Sequence, residues 1–177
     1  MIIKIFENKN KSGDFVDKTF NVINQLLVEI FNDIEKIEQK TLKEGKFNDL
    51  SLTEVHTIEA IGMYESKAMS EVANKLNITV GTLTIAINNL VKKKYVERKR
   101  SEKDRRVVKI SLTKKGKLIY RLHEKFHSDM VKATVDGLSD EEKEIVINSF
   151  EKLSNFFKDR YEIKYDKENK VIRRKHD

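Results

Sequence analysis

The sequence contains no cysteine and no proline, and only six of its 177 residues are glycine. The missing cysteines exclude disulfide bonds, thiolate zinc sites and cysteine-based redox sensing. Because proline is absent, few residues can interrupt a helix, and long helices are expected. No apolar run approaches the roughly 18 residues of a membrane-spanning helix. The opening residues, MIIKIFENKNKSG, do not resemble a secretory signal, so we expect a cytoplasmic protein.

Positive charge is concentrated in one part of the chain, whose formal net charge is +7. Between Lys92 and Lys117, thirteen Lys and Arg residues stand against three acidic residues, which gives this segment +10 and leaves −3 for all other residues. A localised basic stripe indicates a polyanionic partner. The alternative interpretation is a solvated charged surface that binds nothing.

The same region has the pattern of two short helices followed by a hairpin. The first helix is predicted to end at Leu76, the turn spans residues 77–79, and Thr79 is a suitable N-cap for the second helix. Val108, Ile110 and Leu112 alternate with Val107, Lys109 and Ser111, as in a half-buried strand, and residues 101–106 form the tip of the predicted hairpin. This order predicts a winged helix-turn-helix, which reads duplex DNA.

Long amphipathic helices are predicted on both sides of this region. The first runs from about Asp14 to Glu44, and two more follow Thr113 and Ser139. The first carries a heptad seam, which suggests a partner helix from a second subunit or, alternatively, packing within the monomer. The seam residues are Val16, Phe20, Ile23, Leu27, Ile30, Ile34 and Ile37.

The predicted fold class is mainly α with a small β-wing: a winged helix-turn-helix with long N- and C-terminal dimerisation helices. Two-fold symmetric proteins of this kind read DNA half-sites about one helical turn apart. The predicted segments are an N-terminal stub (1–13), a first dimerisation helix (14–47), the DNA-binding domain (48–113), C-terminal dimerisation helices (114–163) and a charged tail expected to be disordered (164–177).

Hydroxyl, amide and cationic side chains of the second helix and the hairpin are candidates for DNA contact. Thr and Asn can hydrogen-bond base edges, Asn suits adenine, and Gly81 allows a close approach of the backbone. Lys and Arg contact phosphates, whereas an Arg at the wing tip can enter a narrow minor groove. The candidate residues are Thr79, Gly81, Thr82, Thr84, Asn88, Asn89, Lys93, Arg98, Arg100, Asp104, Arg105 and Arg106, with Lys92, Lys94 and Lys99 as further phosphate contacts.

Two apolar residues in the second helix of the helix-turn-helix, Val80 and Ile85, fall at positions where exposure to solvent is expected. One interpretation is that they contact the methyl groups of thymine. The other is that they make a residual contact with the core. Asp104 also has two interpretations, because it either directs a neighbouring Arg or forms an exposed ion pair of little energetic weight.

The run VGTLTIAINNLVKKKYVERKRSEKDRRVVKISLTKKG resembles the MarR family of bacterial winged-helix regulators, in its DRR hairpin and the LTxxG start of the next helix. The flanking runs LTEVHTIEAIG and LIYRLHEKFHSDMV are similar to those of members that repress fatty-acid synthesis genes in Gram-positive bacteria. The resemblance covers about Phe20 to Phe157. It implies a homodimer on an AT-rich palindrome of double-stranded DNA, with Asp104 and Arg106 used in the wing and Arg106 in the minor groove.

The resemblance also implies a long-chain acyl-(acyl carrier protein) as corepressor. Many family members carry Lys or Arg where this chain has Val80 and Ile85, which implies fewer charged contacts in the major groove. We expect the corepressor site where the first, second and fifth helices, counted along the whole chain, meet. An acyl chain needs a dry apolar slot. Core packing is the alternative for each candidate. The candidates are Phe31, Ile34, Ile58, Ile61, Leu122, Phe126 and Met130.

His123 and His127 lie one helical turn apart, and His56 lies on an earlier helix. Two His at this spacing can share a metal ion, so a zinc sensor of the MarR type is an alternative function, as is a regulator of another small apolar ligand. Surface or hydrogen-bonding His is the simpler interpretation. An architectural DNA-binding protein without sequence preference is a further alternative. We expect no cofactor and no enzyme, because the sequence shows no nucleophile–base pair and no phosphate loop.

Overall fold

A computed structural model describes residues 14–100 and 107–161. The predictions for the stub, the charged tail and the wing tip with Asp104, Arg105 and Arg106 lie outside these residues. Two compact units are distinguished, one ending at Leu52 and the other beginning at Thr53. The elements in chain order are α1 (Asp14–Glu44), α2 (Leu52–Ile61), β1 (Lys67–Ala68), α3 (Met69–Lys75), α4 (Val80–Lys92), β2 (Val96–Arg100), β3 (Val108–Leu112), α5 (Lys114–Val135) and α6 (Asp140–Tyr161). The predicted fold class is confirmed.

The first unit consists mainly of α1, which begins and ends at the predicted residues. Most of its heptad seam is exposed, including Phe20 at 66% of its surface, together with Ile23, Ile30 and Ile37. An apolar stripe of this length open to water is the pattern of a helix that awaits a partner surface.

The second unit holds a three-stranded antiparallel sheet in the order β1-β3-β2. In the β2–β3 hairpin, Val96 pairs with Leu112 and Arg100 pairs with Val108. The sequence did not predict β1, because two residues are too few to show an alternating pattern. The side chains with no exposed surface come from α2, α3, α4, the residue before β2, and β3: Ile58, Ile61, Val72, Leu83, Ile87, Leu90, Tyr95 and Ile110.

The turn between α3 and α4 is set by local hydrogen bonds at the end of α3. Asn77 has a φ of 53°, a left-handed conformation that Asn tolerates better than most residues. The Asn77 N–H donates to the carbonyl of Asn74, and the Ile78 N–H donates to the carbonyl of Ala73, which closes the helix as a Schellman motif. The next residue, Thr79, caps α4. The predicted order of helix, turn and helix is thus present, with α3 ending at Lys75, one residue before the predicted Leu76.

The predicted ends of the last two helices are also present. Ser139 and Glu142 form a reciprocal capping box at the start of α6, with a Ser139 N–H to Glu142 Oε2 distance of 2.8 Å and a Glu142 N–H to Ser139 Oγ distance of 3.2 Å. Gly137, with a φ of 80°, separates α5 from α6. None of the helices described combines the length and apolar composition that crossing a membrane requires.

Candidate nucleic-acid interface

Helix α4, the second helix of the helix-turn-helix, is called the recognition helix below. It has one buried side and one exposed side, which is called the reading side. Its buried side consists of Leu83, Ile87 and Leu90. At 100° per residue, Ile85 points almost directly away from that side, and it is 67% exposed. Val80 is exposed as well, so the interpretation of these two residues as core contacts is wrong.

The three predicted threonines of the recognition helix already have hydrogen-bond partners within the helix. Thr79 Oγ1 accepts from the Thr82 N–H at 3.1 Å and lies 2.9 Å from Thr82 Oγ1. Thr84 Oγ1 donates to the carbonyl of Val80 at 2.7 Å. Their hydroxyl groups therefore cap and close the first turns of α4, and base contact through them competes with these bonds. Asn88 and Asn89, by contrast, are exposed amides on the reading side.

Lys93, predicted to contact a phosphate, forms an ion pair inside the protein. Its Nζ lies 2.7 Å from Glu54 Oε2 and 2.8 Å from Glu54 Oε1. The side chains are 30% and 10% exposed, respectively, so water screens the pair less than it screens a surface pair. Lys93 thereby ties the end of the recognition helix to the start of α2. No local pattern indicates this pairing, because the two residues are 39 positions apart in the sequence.

The end of α4 is fastened to the start of α5. Lys94 takes a left-handed φ of 64°, and its carbonyl accepts from Thr113 Oγ1 at 2.7 Å. The Thr113 N–H donates to the carbonyl of Tyr95 at 3.0 Å. Gly116 is needed at this junction, because a Cβ atom there would lie 2.2 Å from the Tyr95 carbonyl oxygen. The LTxxG run thus has a structural explanation: Thr113 caps α5, and Gly116 lets α5 approach the backbone of Tyr95, just after the recognition helix.

The wing extends the basic surface from the recognition helix. Arg98, Lys99 and Arg100 are exposed on β2. The Arg98 Nη2 lies 3.4 Å from the carbonyl oxygen of Thr84, so the root of the wing contacts α4 directly. Lys92 is exposed at the end of the same helix. The structure brings these cations and the two Asn amides to the recognition helix and the wing root, as a DNA-binding surface requires.

A second group of polar residues lies between α2 and α5. The Nε2 atoms of His123 and His127 are 3.3 Å apart, and His123 Nδ1 lies 3.6 Å from Glu59 Oε2. The ring centres of His56 and His123 are 5.5 Å apart. Burial raises the pKa of the nearby Tyr120 phenol, and the negative charges of Glu124 and Glu59 raise it further. The predicted His pair is thus part of a larger cluster with a carboxylate.

The residues predicted to line a corepressor site differ widely in burial. Ile58 and Ile61 have no exposed surface, as expected of core residues, so a ligand would reach them only if the core opened. Leu122 is about half exposed, whereas Phe126 and Met130 are half-buried on α5. On α1, Phe31 is exposed and Ile34 is half-buried. Leu122 is therefore the member of the α5 group with the most surface available to a ligand.

Comparison with known proteins supports this interpretation of the surface. The family model of the SarA/Rot transcriptional regulators matches residues 36–121. The regulator SarZ of Staphylococcus haemolyticus is 32% identical over 135 residues, which cover 76% of this chain and 90% of SarZ. The regulator PchR of Bacillus subtilis is 28% identical over 125 residues, covering 66% of this chain and 74% of PchR.

A protein of known structure, solved in complex with DNA, is similar to this chain in both sequence and fold. The crystal structure of Streptococcus pneumoniae FabT in complex with DNA is 44% identical and has a TM-score of 0.72, covering 79% of this chain and 98% of the FabT chain. The class defined by this fold and surface is a DNA-binding winged-helix transcriptional regulator. Within that class, the chain belongs to the MarR family, which its SarZ and FabT relatives and its match to the SarA/Rot model identify.

Proposed function

We propose that the protein is a dimeric repressor of fatty-acid synthesis genes. It binds an AT-rich palindromic operator and uses a long-chain acyl-(acyl carrier protein) as corepressor. The observation that carries this proposal is the 44% identity to FabT across 98% of that chain. The likeness extends beyond the winged helix to the long helices, where effector control of such regulators is expected, and agrees with the resemblance of the flanking sequence runs.

The exposed seam of α1 supports the dimer. Phe20, Ile23 and Ile30 are at least half exposed on one side of a 31-residue helix. Covering apolar surface in a subunit interface would stabilise association by roughly 25 cal/mol per Å² removed from water, before the entropic costs of association. A two-fold dimer also presents two recognition helices to a palindrome.

The junction of α4 and α5 supports ligand control. The Thr113 hydroxyl and N–H hold the first turn of α5 against the backbone of Lys94 and Tyr95. A ligand that prefers one position of α5 therefore also favours one position of the recognition helix. Leu122 lies on α5 about two turns beyond this junction and has surface available to an acyl chain.

The corepressor proposal is tested by titrating the operator DNA with the protein in the presence of acyl-(acyl carrier protein) and of the same carrier protein without an acyl chain. We expect the acylated form alone to tighten binding. Leu122→Gln should reduce this response while leaving basal binding intact. Val131→Gln, at another exposed apolar position of α5, is the matched control. Equal affinity with both carrier proteins would contradict the corepressor role.

Arg106→Ala tests how the operator is read. The sequence assigns Arg106 to the minor groove, so its loss should weaken operator binding by roughly 1–3 kcal/mol. The measurement is a gel-shift titration at fixed salt, with random-sequence DNA of the same length as the control. Unchanged operator affinity would remove Arg106 from the site. If the wild-type protein bound operator and random-sequence DNA with nearly equal affinity, that result would instead indicate an architectural protein.

A zinc-responsive regulator is the second candidate, and the geometry of the His cluster favours it. Two nitrogen ligands of a tetrahedral zinc ion lie about 3.3–3.4 Å apart, given zinc–nitrogen bonds of roughly 2.0–2.1 Å. The Nε2 atoms of His123 and His127 are 3.3 Å apart. The Glu59 carboxylate faces the other nitrogen of His123, as carboxylates do behind zinc-binding imidazoles.

Zinc titration distinguishes the two candidates. In a metal sensor, zinc changes operator affinity, and His123→Ala together with His127→Ala abolishes the change. Glu59→Gln should weaken zinc binding roughly 10- to 100-fold, because it only orients a ligand. In the acyl-responsive repressor, zinc leaves operator affinity unchanged and these variants respond normally to the acylated carrier protein.

A further inference from the structure

We propose that Ile85 reads the 5-methyl group of thymine in the major groove and is the main apolar specificity contact of the recognition helix. The inference rests on the proposed function, since it takes α4 to enter the major groove of an operator. It adds the chemical group that the helix recognises. Each base pair presents a distinct pattern in that groove, and the thymine methyl is its apolar element.

The position of Ile85 has no explanation in the folding of the chain. Its side chain is 67% exposed and lies opposite the buried side of α4 formed by Leu83, Ile87 and Leu90. A β-branched residue also has a lower helix propensity than Lys or Gln, so Ile at a solvated helix position weakens the helix slightly. Contact with an apolar group outside the chain accounts for its presence.

The charges around Ile85 favour DNA over an apolar protein surface as that partner. Lys92 is exposed two turns further along the same helix, and Arg98 reaches the carbonyl of Thr84, the residue before Ile85. Lys99 and Arg100 continue the cationic surface along β2. Exposed apolar residues on a helix that is flanked by cations suit a polyanion that displays isolated apolar groups, as the major groove of a thymine-containing duplex does.

The neighbours of Ile85 on the reading side fit the same target. Gly81, one turn earlier, has no side chain to hold the helix away from the bases, and a Cβ atom there would meet only Thr79 Oγ1, at 3.6 Å. The fold therefore does not require this glycine. Asn88 and Asn89, one turn later, are exposed amides of the type that pairs with adenine. The hydroxyls of Thr82 and Thr84 are engaged in hydrogen bonds to Thr79 and Val80 of the same segment, so Ile85 and the Asn amides are the better candidates for base contact.

The experiment uses a duplex that the full-length protein selects from a random-sequence pool. Each thymine of that duplex is replaced in turn by deoxyuridine, which lacks only the methyl group. At one or more positions in each half-site we expect affinity to fall about three- to fivefold, the effect of losing one buried methyl group. With Ile85→Ala, the thymine and uracil duplexes should bind equally at those positions.

Lys92→Ala is the matched control on the same helix. It should weaken binding to the thymine and uracil duplexes by the same factor and keep their ratio. Because deoxyuridine also alters duplex flexibility, the change in ratio between wild type and Ile85→Ala is the decisive measure.

Equal wild-type affinity for both duplexes, or an unchanged ratio in Ile85→Ala, would overturn methyl reading while leaving operator binding intact. Failure to select any sequence would instead overturn the proposed function, and methyl reading with it.

Discussion

The winged-helix centre and the long helices bury their apolar residues to very different extents. In the part of the chain that the structure describes, every fully buried large side chain lies between residues 57 and 110. The long helices α1, α5 and α6 carry most of the exposed large apolar residues. Phe20 and Ile30 on α1 and Phe150 on α6 are at least half exposed, whereas Ile58 and Leu83 are completely buried.

This contrast separates two ways of using apolar surface. The centre satisfies its own hydrophobic residues within one chain, so it can hold α4 and the wing root in a fixed geometry. The long helices expose apolar surface that a second subunit or a ligand can cover. Reading DNA calls for the first arrangement, and regulation by assembly or ligand binding calls for the second.

The largest expected effect is on the stability of the centre. Ile58→Ala removes a completely buried side chain and should lower the free energy of unfolding by about 2–5 kcal/mol, because the cavity collapses only partly. Ile58→Val should lose about 0.5–1.5 kcal/mol. Urea unfolding at fixed protein concentration measures both. A loss below about 1 kcal/mol for Ile58→Ala would show that the side chains around Ile58 are loosely packed, as expected of a ligand pocket rather than a core.

The next effect is on assembly through the long helices. Ile30→Asp places a charge in the exposed seam of α1 and should dissociate the proposed dimer, with a loss of operator affinity of roughly 100-fold or more because two half-sites are no longer engaged together. Sedimentation and a gel-shift titration measure the two results. Asn32→Asp adds the same charge outside the seam and should retain the dimer. A dimeric Ile30→Asp protein would show that the seam does not form the interface.

Two neighbouring lysines provide a smaller and sharper test within the centre. Lys93→Ala removes the ion pair with the buried Glu54 carboxylate and should lower the free energy of unfolding by about 1–3 kcal/mol. Lys92→Ala should leave stability within about 0.5 kcal/mol and flatten the salt dependence of DNA binding by about one unit. Thermal unfolding and salt-dependent titrations check this. If Lys93→Ala instead flattened the salt dependence and left stability unchanged, Lys93 would be the phosphate contact that the sequence predicts.

The smallest expected effect on stability concerns Gly81. Gly81→Ala should raise the free energy of unfolding by about 0.5–1 kcal/mol, because the helix gains propensity and the added Cβ atom meets only Thr79 Oγ1 at 3.6 Å. DNA binding should weaken by about 1 kcal/mol or more if the backbone approaches the bases closely. Thermal unfolding and operator titration of one preparation separate the two results. A more stable protein with full affinity would show that no such close approach occurs.

The sequence alone predicted the order of the helices and the hairpin, and the position of the basic segment along the chain. These features are local: Asn77 closes one helix, and Thr79 and Thr113 cap the next two through neighbouring N–H groups. It also located the recognition helix, since a 3.6-residue period identifies the buried side of a helix without knowledge of its neighbours.

The tertiary structure alone decided what several side chains do. It paired Lys93 with Glu54, placed Arg98 against Thr84, added β1 to the sheet and showed why Gly116 must be glycine. These contacts join residues far apart in the sequence, so no local period or spacing encodes them. It also left Ile85 exposed at the centre of the reading side. A period can place a residue on a side of a helix, but only the packed neighbours decide whether that side is covered.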